Sequence, residues 1–248
     1  VQERPRARHV RSVDDVLALM DDLFTSTADR WTDGAGAAWW DDFYTDRSRP
    51  VPFFVDAPDE NLAAWVESGE VRPRHALDLG CGTGRNARYL MSVGAEVDAV
   101  DLSATAVAWA REQEAHADAA PRYHVGDAFG GVGEELAGPY DLVYDSGCLH
   151  HLPPHRRVAY RRLLDRVLAP GGWFGVVCFH DGLMGTGAPD EQLYLRGGLE
   201  GGIAFTADDL RWIFDDLEPV DVRPMREQRS TGRFGEAFLL TALFRRPA

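Results

Sequence analysis

Apolar positions in this chain follow two rhythms that take turns. Short runs at Ala76–Leu79, Val97–Asp101, Tyr140–Ser146 and Trp173–Phe179 predict strands. Between them the spacing is helical. Ala87, Leu90 and Met91 lead to a stop at Gly94, and Ala106, Val107 and Ala110 follow a Ser103 cap. Tyr160, Leu163, Leu164, Val167 and Leu168 follow Pro153-Pro154, with Arg156, Arg157, Arg161, Arg162 and Arg166 mostly on the outer side. Alternation of this kind predicts an α/β fold around a sheet.

The flanking regions are patterned differently. Ser12 caps a predicted helix with Val13, Val16, Leu17, Met20, Leu23 and Phe24 on one stripe. From Thr25 to Pro58 the chain is aromatic-rich, with Pro50, Pro52 and Pro58, and is expected to be irregular. A second helix is expected over Asp59–Ser68, stopping at Gly69. Residues 1–73 therefore form a helical and aromatic lid segment, and 74–248 form the core. Pro170-Gly171-Gly172 predicts a tight turn into the strand from Trp173. A glycine-rich excursion over 180–202 follows, then a helix under a Thr206/Asp209 capping box and strands near Val220–Met225 and Glu236–Arg245.

The chemistry concentrates where the first strand ends. Asp78-Leu79-Gly80-Cys81-Gly82-Thr83-Gly84 places a carboxylate beside alternating glycines that open a helix. Glycines let backbone approach a ligand closely, and the helix turns free N–H groups toward it. A dinucleotide loop would need Gly-x-Gly-x-x-Gly, but Arg85 stands where its third glycine belongs. Asp78 disfavours a pyrophosphate and suits a cationic or amino-bearing ligand. Asp101, at the next strand end and about 20 residues past the loop, is placed to accept both hydroxyls of a ribose. The third strand delivers Gly126-Asp127-Ala128-Phe129, and the fourth ends in Asp145-Ser146-Gly147 before Cys148-Leu149-His150-His151. All four strand ends should meet in one crevice.

Asp78 with Gly80, Gly82 and Gly84 resembles motif I of the class I S-adenosylmethionine-dependent methyltransferases, and the later strand-end acids agree with it. The resemblance covers about 74–246. Gly84-Arg85-Asn86 and Val51-Pro52-Phe53-Phe54 are similar to bacterial methyltransferases of the tellurite-resistance and thiopurine type. It implies a Rossmann-like, doubly wound, seven-stranded, mostly parallel sheet with a reversed last strand. It also implies S-adenosylmethionine as methyl donor, held by Asp78, Gly80, Cys81, Gly82, Gly84, Arg85, Asn86, Asp101, Leu102, Gly126, Asp127, Ala128, Phe129 and Asp145. Asp127 would accept from the adenine amine, and its apolar neighbours would sandwich the ring.

The 248 residues carry a net charge of −14, which disfavours a nucleic-acid partner. Arg4, Arg6, Arg8 and Arg11 form the basic cluster, read as a mobile tail. There is no lysine, so Schiff-base and lysine-base mechanisms are excluded. No apolar run reaches the ~18 residues of a membrane span, and no signal peptide is visible. Cys81, Cys148 and Cys178 show no pairing pattern, which suits a reducing cytoplasm.

Methyl transfer needs alignment first and a base second. His150 and His151 are the candidate bases. Trp40, Tyr44 and His180 are candidate acceptor contacts. An oxygen-rich divalent site at Asp145 and Asp181 would lack a complete ligand set. The reading is methyl transfer to a small-molecule nucleophile. The alternatives are a non-catalytic protein that binds the same nucleoside, or a nicotinamide oxidoreductase.

Overall fold

The structure is a computed structural model and describes residues 10–24, 28–117, 119–229 and 232–248. Arg4, Arg6 and Arg8 lie outside the described residues. Three helices come first: α1 (Val13–Asp22), α2 (Ala35–Thr45) and α3 (Glu60–Glu67). The core then alternates β1 (His75–Leu79), α4 (Arg85–Ser92), β2 (Glu96–Asp101), α5 (Ala104–Gln113), β3 (Arg122–Val125), β4 (Tyr140–Ser146), α6 (Arg156–Val167) and β5 (Leu168–His180). It closes with α7 (Asp190–Arg196), β6 (Ala204–Phe205), α8 (Ala207–Ile213), β7 (Glu218–Pro224) and β8 (Leu239–Arg245).

The strand order is β3-β2-β1-β4-β5-β8-β7, with β6 paired to β5 off that path. Pairings from β3 to β5 are parallel, and β8 runs antiparallel to both β5 and β7. The reversed last strand stands where the resemblance put it. An eighth strand, β6, comes from the excursion's end. The chain steps outward from β1 to β3 and then returns to β4, so the crevice between the carboxyl ends of β1 and β4 is the switch point.

Alternate side chains of each strand feed two separate cores, one on each face. Leu77, Leu79, Val143, Phe174 and Val176 pack with Tyr160, Leu163 and Phe214 on one side. Ala76, Val97, Ala99, Leu142 and Val177 pack with Leu90, Trp65 and Leu62 on the other.

Four local expectations are corrected. The stretch read as irregular contains α2, an eleven-residue helix whose aromatics pack on one another (Trp39 stacks on Phe43 at 5.2 Å). The stripe on α1 is not a buried face: Val13, Val16 and Leu23 are exposed and only Phe24 is buried. The Pro-Gly-Gly segment does not break the strand. It forms a bulge within β5, where Tyr140 pairs with Leu168 but Leu142 pairs with Trp173. Arg156 does not face outward; its side chain is largely buried between Asp21 and Asp127. Among the described residues no helix is long and apolar enough to cross a membrane.

Candidate active site

A cavity of about 380 Å³ opens at the switch point, within the ~300–1,000 Å³ typical of small-molecule sites. The glycine loop forms its floor. Gly80 and Cys81 donate their N–H groups to the Val100 carbonyl, at 2.8 and 3.0 Å, which ties the loop to β2. Gly82 has φ +54°, and a Cβ there would stand 2.9 Å from the Tyr44 hydroxyl. A Cβ on Gly80, at φ +66°, would meet the Cys148 Cβ at 3.0 Å. Only glycine gives this backbone its turn and leaves the cradle open.

Asp101 sits at the tip of β2. Its Oδ2 accepts from Gly82 N at 2.7 Å and its Oδ1 from Ser103 N at 2.8 Å. Each oxygen keeps a lone pair for a ligand hydroxyl. Burial pushes this carboxyl up to about 6, against the two backbone donors and with a further upward push from Asp41. Asp127 is also raised by burial, with Arg156 opposing. Its Oδ1 accepts from Phe129 N at 2.8 Å and its Oδ2 pairs with Arg156 at 2.5 Å. Leu102, Gly126, Ala128 and Phe129 line the same end.

Not every expected residue reaches the cavity. Asp78, Gly84, Asp145 and His180 are not among its lining. Asp145 is fully buried and braces the loop after β4, accepting from Cys148 N, Leu149 N and the Tyr160 hydroxyl at 2.7–3.0 Å. Asp78 is buried behind the loop, and its Oδ2 has no hydrogen-bond partner among the described residues. Burial raises it to about 8, with Arg85 pulling down and Asp59 and Asp145 pushing up. Arg85 and Asn86 do line the cavity, yet their polar groups are spent on Asp59. Arg85 pairs with that carboxylate, also reaches Ala57 O and Ser146 Oγ, and lies over the Phe234 ring. Asn86 accepts from Asp59 N at 3.0 Å, and Tyr144 donates to Asp59 Oδ2 at 2.6 Å. Asp59 thus fastens α3, α4 and β4 together behind the site.

The other end of the cavity is apolar and aromatic. Trp40 and Tyr44 come from α2, Phe179 from the end of β5, and Phe234 and Phe238 from the segment before β8. His150 stacks on Phe179 with ring centroids 3.7 Å apart, and His151 meets Trp40 edge-on at 5.0 Å. Burial drives both imidazoles toward the neutral form. His150 is held well below its ordinary value, and His151 is lowered to about 4, with the Arg30 charge adding to the effect. Both are proton acceptors of low basicity at neutral pH.

Three residues that the sequence reading passed over hold the N-terminal segment to this site. Asp33 Oδ1 accepts from Asp127 N at 2.7 Å. Asp41 Oδ1 accepts from Ser103 Oγ at 2.7 Å and Thr105 N at 2.9 Å. Asp21 pairs with Arg156 at 2.8 Å and lies 2.6 Å from His155 Nε2. Asp33 and Asp41 lie in the aromatic-rich stretch and Asp21 is a polar residue near the end of α1, so no local pattern marks the distant partner of any of them.

Residues 76–172 match the family described as "Methyltransferase domain". The ubiquinone biosynthesis O-methyltransferase of Bordetella avium is 28% identical over 139 residues, 55% of this chain and 54% of that protein. The chain spans between 24% and 58% of the length of the curated relatives it matches. Two solved structures share the fold. One, from work on conversion of a disulfide bond into a thioacetal group during echinomycin biosynthesis, has a TM-score of 0.64 at 24% identity, covering 85% of this chain and 93% of that one. The other is the 1,6-didemethyltoxoflavin-N1-methyltransferase of Burkholderia thailandensis, with a TM-score of 0.56 at 20% identity, covering 98% and 94%. The glycine loop and the strand-end acids all lie within the stretch that matches the methyltransferase-domain family.

Proposed function

We propose that this protein transfers a methyl group from S-adenosylmethionine to a small-molecule nucleophile held in the aromatic end of the cavity. The observation that carries the reading is that the open glycine cradle, Asp101 and Asp127 share one cavity with an apolar chamber. S-adenosylmethionine, when bound, supplies a methyl group already activated on a sulfonium. Gly80, Cys81 and Gly82 would take its amino-acid portion, Asp101 would accept both ribose hydroxyls, and Asp127 with Leu102, Ala128 and Phe129 would hold the base. Asp78, raised to about 8 by burial, would be mostly uncharged at pH 7 and would support the loop from outside the cavity lining, and Asp145 would act by fixing Gly147 and Cys148. Trp40, Tyr44, Phe179 and Phe238 exclude water and restrict the acceptor's approach.

His150 and His151, neutral at pH 7, can take a proton from an oxygen or nitrogen acceptor; a thiolate would not need them. His180 is not among the residues lining this chamber, so no acceptor contact is assigned to it. Small-molecule acceptors among its relatives support this class, as in ubiquinone biosynthesis and toxoflavin N-methylation. The net charge of −14 argues against a nucleic-acid substrate, and three free cysteines suit a cytoplasmic setting.

Calorimetry with S-adenosylhomocysteine tests the donor half, and binding in the micromolar range is expected. Release of that product from a panel of phenols, thiols and amines tests turnover. Binding without release from any acceptor would favour a non-catalytic role. Association with a nicotinamide dinucleotide and not with S-adenosylhomocysteine would overturn the reading.

A further inference from the structure

The aromatic end of the cavity is walled mostly by rings and aliphatic side chains. Trp40, Phe53, Phe179 and Phe238 line it together with Met184 and Leu239. The charged residues of the whole lining are Arg30, Arg85, Asp101 and Asp127, and each is built into the protein elsewhere. Asp101 and Asp127 stand at the strand-end side, on backbone donors and on Arg156. Arg85 pairs with Asp59 and lies over the Phe234 ring. Arg30 holds its guanidinium 3.8 Å from the centroid of Trp39, a ring outside the lining, and donates through Nη1 to the Asp29 carbonyl oxygen at 2.7 Å.

The remaining polar groups at this end are neutral. Burial keeps the His150 and His151 imidazoles uncharged and the Tyr44 phenol and Cys148 thiol protonated. The Nδ1 atom of His150 is buried with no hydrogen-bond partner among the described residues. Trp40 donates its indole N–H to the Arg30 carbonyl oxygen at 2.9 Å, which leaves the apolar ring for the chamber. A carboxylate or ammonium entering here would shed its water among rings and neutral imidazoles, at a large desolvation penalty; a neutral ring carries no such penalty. Phe238 stands apart from the other rings. His150 and Phe179 stack at 3.7 Å with planes 19° apart, whereas Phe238 is half-buried and meets Phe179 at 6.4 Å and 61°. No other ring of the described residues packs on it, so a flat ligand ring would supply a contact that Phe238 lacks.

We propose that the acceptor is an aromatic compound without formal charge, its ring packed on Phe238 beside the His150–Phe179 stack and its nucleophilic atom toward the imidazoles. Phe238 is then a specificity-determining residue. The inference rests on the methyltransferase reading, and the test separates the two. Titrate the protein first with S-adenosylhomocysteine, then titrate the loaded protein with two neutral phenols, 2-naphthol and methyl 4-hydroxybenzoate. Their anionic counterparts are 6-hydroxy-2-naphthoate and 4-hydroxybenzoate, and a cationic one is 4-hydroxybenzylamine. Their saturated counterparts are decahydro-2-naphthol and methyl 4-hydroxycyclohexanecarboxylate. At least one neutral phenol is expected to bind about tenfold or more tightly than its charged counterparts, and about threefold or more tightly than its saturated one. F238L, which keeps the site apolar and removes the ring, should weaken that phenol by about three- to tenfold while leaving the saturated compound and S-adenosylhomocysteine within about twofold.

A charged or saturated counterpart that binds as well as its neutral phenol, failure of both neutral phenols to bind, or equal losses for phenol and saturated compound in F238L would overturn the proposal. Should F238L not fold, the parent comparisons decide alone. A parent protein that fails to bind S-adenosylhomocysteine overturns the underlying reading too, and that result is visible before any acceptor is added.

Discussion

The strand-end acids and the lid acids are built on opposite plans. Asp101 and Asp145 are held by backbone N–H groups close by: Gly82 and Ser103 for one, Cys148 and Leu149 for the other. Asp21, Asp33 and Asp41 instead spend their carboxylates on other elements, at Arg156, Asp127 and the start of α5. The first group is preorganised by its own motif, and the second depends on how the N-terminal segment packs against the core. Damage to the strand ends should therefore weaken donor binding strongly. Damage to the lid should spare binding and slow turnover.

The sharpest way to break this comparison is Gly82→Ala. A Cβ against the Tyr44 hydroxyl, on backbone at φ +54°, should weaken S-adenosylhomocysteine binding by at least about thirtyfold, read by calorimetry, with the circular dichroism spectrum unchanged. Adding Tyr44→Phe should recover the steric part of the loss and none of the backbone part. Normal binding by Gly82→Ala would remove the loop from the site.

Next in size is Asp101→Asn, expected to weaken binding about ten- to thirtyfold at pH 7.5. The parent carboxyl, raised to about 6 by burial, is protonated below that pH. Donor affinity should therefore fall as pH drops through 6 in the parent and stay flat in the variant. Stability has the opposite sign. A raised carboxyl favours the folded state below its unfolded value near 4, and that advantage is lost as pH rises through about 6. Thermal melts should accordingly find the parent losing stability relative to Asp101→Asn as pH rises from 4 to 8, and a difference that does not change with pH would contradict the buried, costly carboxylate.

His151→Ala sharpens the acceptor end. With its imidazole lowered to about 4, His151 is neutral throughout the working range, so kcat should fall by less than about tenfold. The parent rate profile should carry no limb from this histidine between pH 5.5 and 8. Full turnover in both His151→Ala and His150→Ala would exclude base catalysis from the loop after β4.

The smallest effect is expected from Asp41→Ala. Loss of the shared cap on α5 should cost about 0.5–2 kcal/mol of stability and three- to fivefold in kcat/KM, with donor affinity changed by less than about twofold. Donor binding that collapsed in this variant would erase the distinction between the two plans.

The same contrast explains what could be read from the chain alone. Periodicity, caps and glycine spacing are local, so the strands from Ala76 to Phe179, the Ser12, Ser103 and Thr206 caps, and the positions of Asp101 and Asp127 were legible. The α2 helix was not, because Ala35–Thr45 has aromatics on more than one side and is stabilised by contacts with α5 and the following loop. Asp78 and Asp145 carried the same strand-end signal as Asp101, yet their side chains turn behind the loop; strand alternation gives the face, while the partner amides that claim a carboxylate are set by the turn that follows. Phe234, Phe238 and Arg30 reach the cavity from far along the chain, and no spacing rule connects them to it.

The cap that Asp41 lends to α5 turns one amide into a gauge. Thr105 N–H is bonded to a carboxylate from the lid, whereas its neighbour Ala106 N–H is bonded to Ser103 within the core. Lifting the lid must strip the first proton of its shelter while leaving the second covered. Deuterium uptake at these adjacent positions would therefore clock the rate at which the chamber uncovers, separately from any unravelling of the helix.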